Sequence, residues 1–156
     1  MTSIIRRMTL EDVPAVHAID QMSFSLPWPE RSFRYEIEEN PVSRCWVAVD
    51  HGQIAAMLVL WLIEDEAHIA TIATHPEFRR QGIGEQLMIK ALKEAQAEGA
   101  THAFLEVRAG NLAAQAMYKK YGFIQDGIRQ RYYKDNNEDA LLMSLGDISG
   151  LLSQLK

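Results

Sequence analysis

A chain of 156 residues is long enough for one domain with one sizeable core and too short for several. Apolar residues make up 47% and charged residues 24%, ordinary proportions for a globular protein, which excludes disorder across the body of the chain. The net charge of -5 argues against broad, non-specific nucleic-acid binding and suits, weakly, a partner carrying a positive amine or a basic segment.

Ser3 to Arg6 can form a short strand. Neither Thr2–Arg7 nor any other stretch suggests a signal core, and the longest apolar run, Ile54 to Ile63, is too short to span a membrane. A cytoplasmic location with no membrane attachment is therefore expected. Thr9 caps a helical stretch, with Asp12 three residues on and Val13, Val16 and Ile19 at helical spacing. Ser25-Leu26-Pro27-Trp28-Pro29 breaks it. A second helix starts near Pro29 and Glu30, carries Phe33 and Ile37 on one face, and ends before Asn40-Pro41.

The middle reads as β structure. Arg44 to Val49 and Gln53 to Ile63 are strands joined by the hairpin turn Asp50-His51-Gly52. Cys45, the only cysteine, sits beside Trp46 in an apolar run and reads as core rather than as a nucleophile. Glu64-Asp65-Glu66 reads as a solvated turn rather than a substrate patch, and Ala67 to Thr74 is a third strand.

The period then changes. From Gly82 to Glu98, Ile83, Leu87, Met88, Ala91, Leu92 and Ala95 follow helical spacing, and Gly99 ends the helix. Thr101 to Val107 is a strand, and Asn111 to Lys120 a helix with Gly122 beyond its end. Phe123 to Tyr133 and Ala140 to Leu145 form a last antiparallel pair around Asp135-Asn136-Asn137. The order β-α-α-β-β-β-α-β-α-β-β predicts one α/β (α+β) domain over residues 1–156, a mixed, mostly antiparallel central sheet flanked by helices. One βαβ unit, Ala67 to Val107, lies inside it, with a right-handed crossover. Ile148, Leu151, Leu152 and Leu155 in the tail 146–156 predict a short amphipathic helix or a contact between subunits.

The join between the third strand and the long helix can hold an anion. Gly82 and Gly84 let a ligand approach the backbone, the first-turn N–H groups point outward, and Arg79 and Arg80 add positive charge. A dinucleotide fingerprint would need a third glycine where Leu87 stands, and a P-loop would need Gly-Lys-Ser/Thr, which is absent. A structural turn is the other reading of the two glycines. Glu106 interrupts the apolar strand Phe104-Leu105-Glu106-Val107 just before a loop, so its charge must face a cleft or pair with a neighbouring Arg. Tyr118 lies seven residues after Asn111, two helical turns on and so on the same face. A phenol near ~10 keeps its proton at neutral pH and can donate to a thiolate, whose conjugate thiol lies near ~8.5. The plainer reading of Tyr118 is a core aromatic. His17, His51, His68, His75 and His102 are scattered, with no HExxH and no Cys pair, so no metal is expected.

Arg79-x-x-Gly82-x-Gly84 resembles the Q/R-x-x-G-x-G/A signature of the GNAT acetyltransferase superfamily, and the element order matches that acyl-CoA N-acyltransferase fold. Leu105-Glu106-Val107-Arg108 with Asn111, Ala114, Tyr118 and Gly122-Phe123, together with Phe24 to Trp28 and Arg131-Tyr132-Tyr133, resembles the RimI-type protein N-terminal acetyltransferases. The resemblance spans roughly Phe24 to Leu145. His75 and Thr74 depart from it, standing where relatives commonly have Asp and Val.

The resemblance implies acetyl-CoA in a cleft between the strands ending at Thr74 and Val107. Main-chain groups of Ile72, Ala73 and Thr74 would take the pantetheine arm. Arg79, Arg80, Gln81, Gly82, Ile83, Gly84 and Glu85 would hold the pyrophosphate. Asn111 would contact the cofactor's amide-bearing arm, serve as a helix N-cap, or do both. Glu106 would act as general base, through water, and Tyr118 as general acid. Leu26, Trp28, Tyr132 and Tyr133 would line the peptide side or simply pack as apolar and aromatic side chains. The acceptor would be a protein N-terminus, the N-terminal alanine of a ribosomal protein in RimI-type enzymes, and the protein a monomer or weak dimer. An α-amine near ~7.7–8.0 is easier to deprotonate than a lysine near ~10.4 by about 3.4 kcal/mol, which favours α-amines for a modest base without excluding lysine. A lysine, polyamine or small-molecule amine as acceptor, and a non-catalytic acyl-CoA sensor, are the competing readings.

Overall fold

The computed structural model describes residues 3–155. Seven strands form one sheet: β1 (Ile4–Arg7), β2 (Ser43–Asp50), β3 (Gln53–Ile63), β4 (Glu66–Thr74), β5 (His102–Arg108), β6 (Ile124–Tyr133) and β7 (Glu138–Leu145). Their spatial order is β1-β2-β3-β4-β5-β7-β6. Among the described residues only β4 and β5 run parallel; the other neighbours are antiparallel, and of these β2–β3, β3–β4 and β6–β7 are joined by short turns.

Five helices cover the faces: α1 (Val13–Ser23), α2 (Glu30–Glu38), α3 (Ile83–Ala97), α4 (Leu112–Lys120) and α5 (Ile148–Gln154). The sheet's two faces build two apolar clusters. One contains Leu58, Leu60 and Leu105 with Leu87, Met88 and Leu92 of α3 and Tyr118 of α4. The other contains Val47, Met57 and Val59 with Val16 and Ile19 of α1 and Phe33 of α2. Residues 57 to 60 alternate between the clusters because strand side chains alternate in direction, so β3, buried on both faces, is an apolar run rather than a period-2 pattern. Cys45 is buried in the second cluster, and burial pushes its thiol up.

Boundaries differ from expectation by a few residues. A 3-10 turn, Leu10–Asp12, precedes α1, and the Asp12 carboxylate accepts the Thr9 N–H at 2.7 Å while pairing with Arg6, also at 2.7 Å. The last strand starts at Glu138 rather than Ala140. The tail forms α5, whose Ile148 and Leu151 are buried in the first cluster. Among the described residues no helix is long and apolar enough to cross a membrane.

Candidate active site

The site exists because β4 and β5 part company. Their parallel ladder runs only from Glu66–His102 to Ile69–Leu105. At that point β4 carries a bulge: Val59 pairs with Thr71 and Leu60 with Ile69, leaving Ala70 unmatched. A bulge bends its strand, and here it turns the end of β4 away from β5. Beyond it, Thr71–Thr74 stay paired to β3, and Glu106–Arg108 stay paired to β7. The inner edges of both strands therefore face a gap, an open ladder that an extended ligand can join. The gap widens into a cleft of about 810 Å³, within the usual range for small-molecule sites.

One end of the cleft is the start of α3. Gly82 takes a left-handed φ of 77°, which side chains resist, and turns the chain into the helix. The first helical bond there is from the Gln86 N–H to the Gly82 carbonyl, at 3.0 Å. The N–H groups of Ile83, Gly84 and Glu85 precede that ladder and join the positive end of the helix dipole. Gly84 lies against β4, and a Cβ there would stand 2.9 Å from Thr74 Oγ1. Arg79 donates through Nε to the Thr74 carbonyl at 3.1 Å and through Nη2 to Ser23 Oγ at 3.4 Å. Its charge is thus fixed between β4 and α1. Arg79, Arg80, Gly82, Ile83, Gly84 and Glu85 all line the cleft; Gln81 is exposed and does not. The Glu85 carboxylate accepts from the Tyr121 hydroxyl and from Lys120 Nζ at 2.9 Å, and these donors hold its pKa down. The pair ties the first turn of α3 to the end of α4 and offsets the Glu85 charge at the start of α3.

The middle of the cleft holds the ionisable groups. Glu106 lines it and also pairs with Arg129, Nε to Oε2 at 3.1 Å, while the Tyr132 hydroxyl lies 3.4 Å from Oε1. The two readings of this carboxylate, cleft and salt bridge, hold together. Across the gap, Asn111 caps α4, its Oδ1 accepting the Ala114 N–H at 3.1 Å, and Asn111 lines the cleft as well. Tyr118, two turns further, is only 4% exposed and packs on Phe123 yet lines the cleft. Burial, reinforced by nearby Tyr133, pushes its phenol pKa well above the ordinary value. Tyr133 is pushed up to about 12, chiefly by burial and against the opposing charge of Arg108.

The far end is closed by two loops. Leu26 and Trp28 from the α1–α2 loop and Tyr133 from β6 line it; Tyr132 does not. Several contributors escaped the sequence reading. Asp20, 1% exposed, accepts the Trp28 N–H at 2.6 Å and so fixes the loop, with burial raising its carboxyl. Arg108 stacks 3.9 Å over the Tyr133 ring and binds Asp135 at 3.1 Å and Glu138 at 3.2 Å. Asp135 also accepts from the Ser25 hydroxyl, linking the β6–β7 turn to the α1–α2 loop. Arg108 was visible in the Leu-Glu-Val-Arg segment, but its acidic partners lie 27 and 30 residues on, beyond any local pattern.

An open strand edge, a helix start rich in free N–H groups and two arginines fit an elongated ligand with a pyrophosphate. The sequence model of the acetyltransferase (GNAT) family matches residues 13–123. The chain belongs to the GNAT acetyltransferase family. Acetyl-CoA is its acetyl donor. A Bacillus subtilis (strain 168) protein named provisionally as a [ribosomal protein bS18]-alanine N-acetyltransferase is 42% identical over 89% of this acetyltransferase and 92% of its own length. The Escherichia coli (strain K12) [ribosomal protein bS18]-alanine N-acetyltransferase is 34% identical, over 90% and 95%. The crystal structure of the Escherichia coli ribosomal-protein-S18-alanine N-acetyltransferase superposes with a TM-score of 0.84 over 92% of each chain, at 33% identity.

Proposed function

We propose that this acetyltransferase modifies the N-terminal α-amine of a protein, the N-terminal alanine of a ribosomal protein, with Glu106 as general base and Tyr118 as general acid. One observation carries the mechanism: Glu106 on β5 and Tyr118 on α4 line the same cleft, whose one end is the start of α3 and whose other end is walled by Leu26, Trp28 and Tyr133. The names of the two relatives supply the acceptor.

The main-chain groups of Ile72, Ala73 and Thr74 offer a strand edge to the pantetheine amides. Arg79, Arg80 and the N–H groups of Gly82 to Glu85 neutralise the pyrophosphate. The neutral amine adds to the thioester carbonyl, forming the C–N bond, and the tetrahedral intermediate collapses as the C–S bond breaks and the thiolate leaves. Glu106 takes the one proton that the nitrogen gives up in becoming an amide, directly or through a water. Tyr118, kept protonated by burial, gives its proton to the departing thiolate, and solvent resets both groups. No protein nucleophile takes part, in keeping with the burial of Cys45 away from the cleft.

The test is CoA release with peptides starting in alanine, with peptides whose only free amine is a lysine, and with polyamines. Alanine peptides are expected to turn over, and Glu106→Gln is expected to lower kcat about a hundredfold, the usual scale for a lost general base. Turnover on lysine but not on α-amines would overturn the acceptor. Acetyl-CoA binding without turnover of any amine would make the protein a sensor. Mass spectrometry of ribosomal-protein N-termini in cells with and without the protein then identifies the acceptor.

A further inference from the structure

The contacts around Glu106 carry more than its identity as a base. Its two carboxylate oxygens face different donors, Arg129 Nε at 3.1 Å and the Tyr132 hydroxyl at 3.4 Å, both from β6. Strand β6 is not adjacent to β5; β7 lies between them. Ala140 is the register partner of both Arg108 and Arg129, so the three share one face of the sheet. Glu106, two residues from Arg108 on β5, shares that face too. Arg129 therefore reaches Glu106 diagonally across β7, from the level of Ala140 to that of Leu142.

Tyr132 follows Arg129 by three residues. In an unbroken strand the two side chains would point to opposite faces, because the side-chain period is two. The strand is not unbroken. Arg129 pairs with Ala140 and Tyr133 with Glu138, so β6 uses four steps where β7 uses two. Within this bulge Arg131 takes a positive φ of 51°, and its N–H is held by Asp139 Oδ1 at 2.9 Å. The two extra residues of β6 form this bulge, and within it Arg129 and Tyr132 converge on one carboxylate. Arg129 also lies 5.5 Å from the Tyr132 ring centroid, so the two donors support each other.

We infer that Arg129 and Tyr132 are positioning residues for the acetyl transfer, a clamp built on the β6 bulge that holds the Glu106 carboxylate in the cleft. The inference rests on Glu106 being the base. A glutamate on a partly open strand otherwise samples several rotamers, and misplacement by about 1 Å can cost a hundredfold in rate. A carboxylate offers about four lone-pair directions, so two donors leave room for the amine or its water. Neither Arg129 nor Tyr132 lines the cleft, which separates holding the base from touching the substrate.

The test is steady-state kinetics with acetyl-CoA and an alanine-starting peptide, or whichever amine the wild type prefers, alongside thermal melting. The variants are Arg129→Ala, Arg129→Lys, Tyr132→Phe, Glu106→Gln and the double variant Arg129→Ala/Glu106→Gln. Arg129 is largely exposed, so its variants are expected to fold. Arg129→Ala should lower kcat about tenfold with KM for acetyl-CoA unchanged within about twofold, Tyr132→Phe less, and Arg129→Lys should recover part of the loss. In the Glu106→Gln background, Arg129→Ala should cost less than about twofold, since the clamp has nothing left to hold. A wild-type kcat in Arg129→Ala, with Glu106→Gln still strongly impaired, would overturn the clamp and leave the base assignment standing. A full tenfold loss in the Glu106→Gln background would show that Arg129 acts elsewhere. An unimpaired Glu106→Gln would overturn the base and the clamp together.

Discussion

The two halves of the cleft are built from different materials. The half running from β4 to the start of α3 presents main chain: the open edge of Ile72 to Thr74 and the N–H groups of Ile83 to Glu85. The half around β5, α4 and β6 presents side chains: Glu106, Tyr118, Tyr133 and the Arg108 network. Main chain is indifferent to most substitutions and demands only that nothing obstruct it, so this half should tolerate changes at Thr74 and His75. A side-chain half has no such tolerance, because each group must keep its chemistry and its support. On the proposed roles, donor binding rests on main chain, and acceptor choice and proton transfer rest on side chains.

The sharpest way to break the comparison is at the backbone's own requirement. Gly82→Val forces a branched residue to a φ of 77°, and is expected to weaken acetyl-CoA binding by tenfold or more in calorimetry. Charge-assisted hydrogen bonds are each worth ~1.5–3 kcal/mol, and about 1.4 kcal/mol is a factor of ten. Unchanged binding with an intact fold would take the anion site away from this turn. A smaller effect marks the side-chain half. Tyr118 and Tyr133 both have phenols raised by burial, so the folded state keeps protons that the unfolded chain releases above pH ~10. Stability from this source is complete below that pH and is lost as pH rises towards the folded-state values. The largest slope is about 1.4 kcal/mol per pH unit for Tyr118, with a smaller share from half-buried Tyr133. Denaturant melts of Tyr118→Phe between pH 9 and 11 should show a shallower decline than wild type; parallel declines would mean the phenol is not held neutral. The smallest effect is Thr74→Val, expected to change KM for acetyl-CoA by less than about twofold if β4 acts through its carbonyl and amide groups. A large change would mean that the Thr74 hydroxyl itself serves the ligand.

Much of this molecule was legible in its residues because the signals were local. Helical spacing from Ile83 to Ala95, the glycines at 82, 84 and 99, and the Asp50-His51-Gly52 turn located their elements to within a few residues. Gly82-x-Gly84 after a strand located the turn into α3, since the helix start and the left-handed residue are properties of a short stretch of chain. Asn111 to Tyr118 placed two cleft residues on one helical face for the same reason.

Other features depended on residues meeting across the sheet. The bulge at Ala70 that parts β4 from β5 is a mismatch in count between two strands, and neither strand encodes it alone. Gln81 is as polar as its neighbours and sits in the same turn, yet the turn's geometry leaves it off the cleft. Tyr132 and Tyr133 are adjacent and chemically alike, and only the β6 bulge sends one to Glu106 and the other to the cleft wall. The sequence by itself determined the element order, the glycine turn into α3 and the residue types available for proton transfer, because periodicity and backbone conformation are local. The tertiary structure alone decided where the sheet opens and which donors reach Glu106, because a bulge is a mismatch between two paired strands and the contacts of Glu106 cross from β5 to β6.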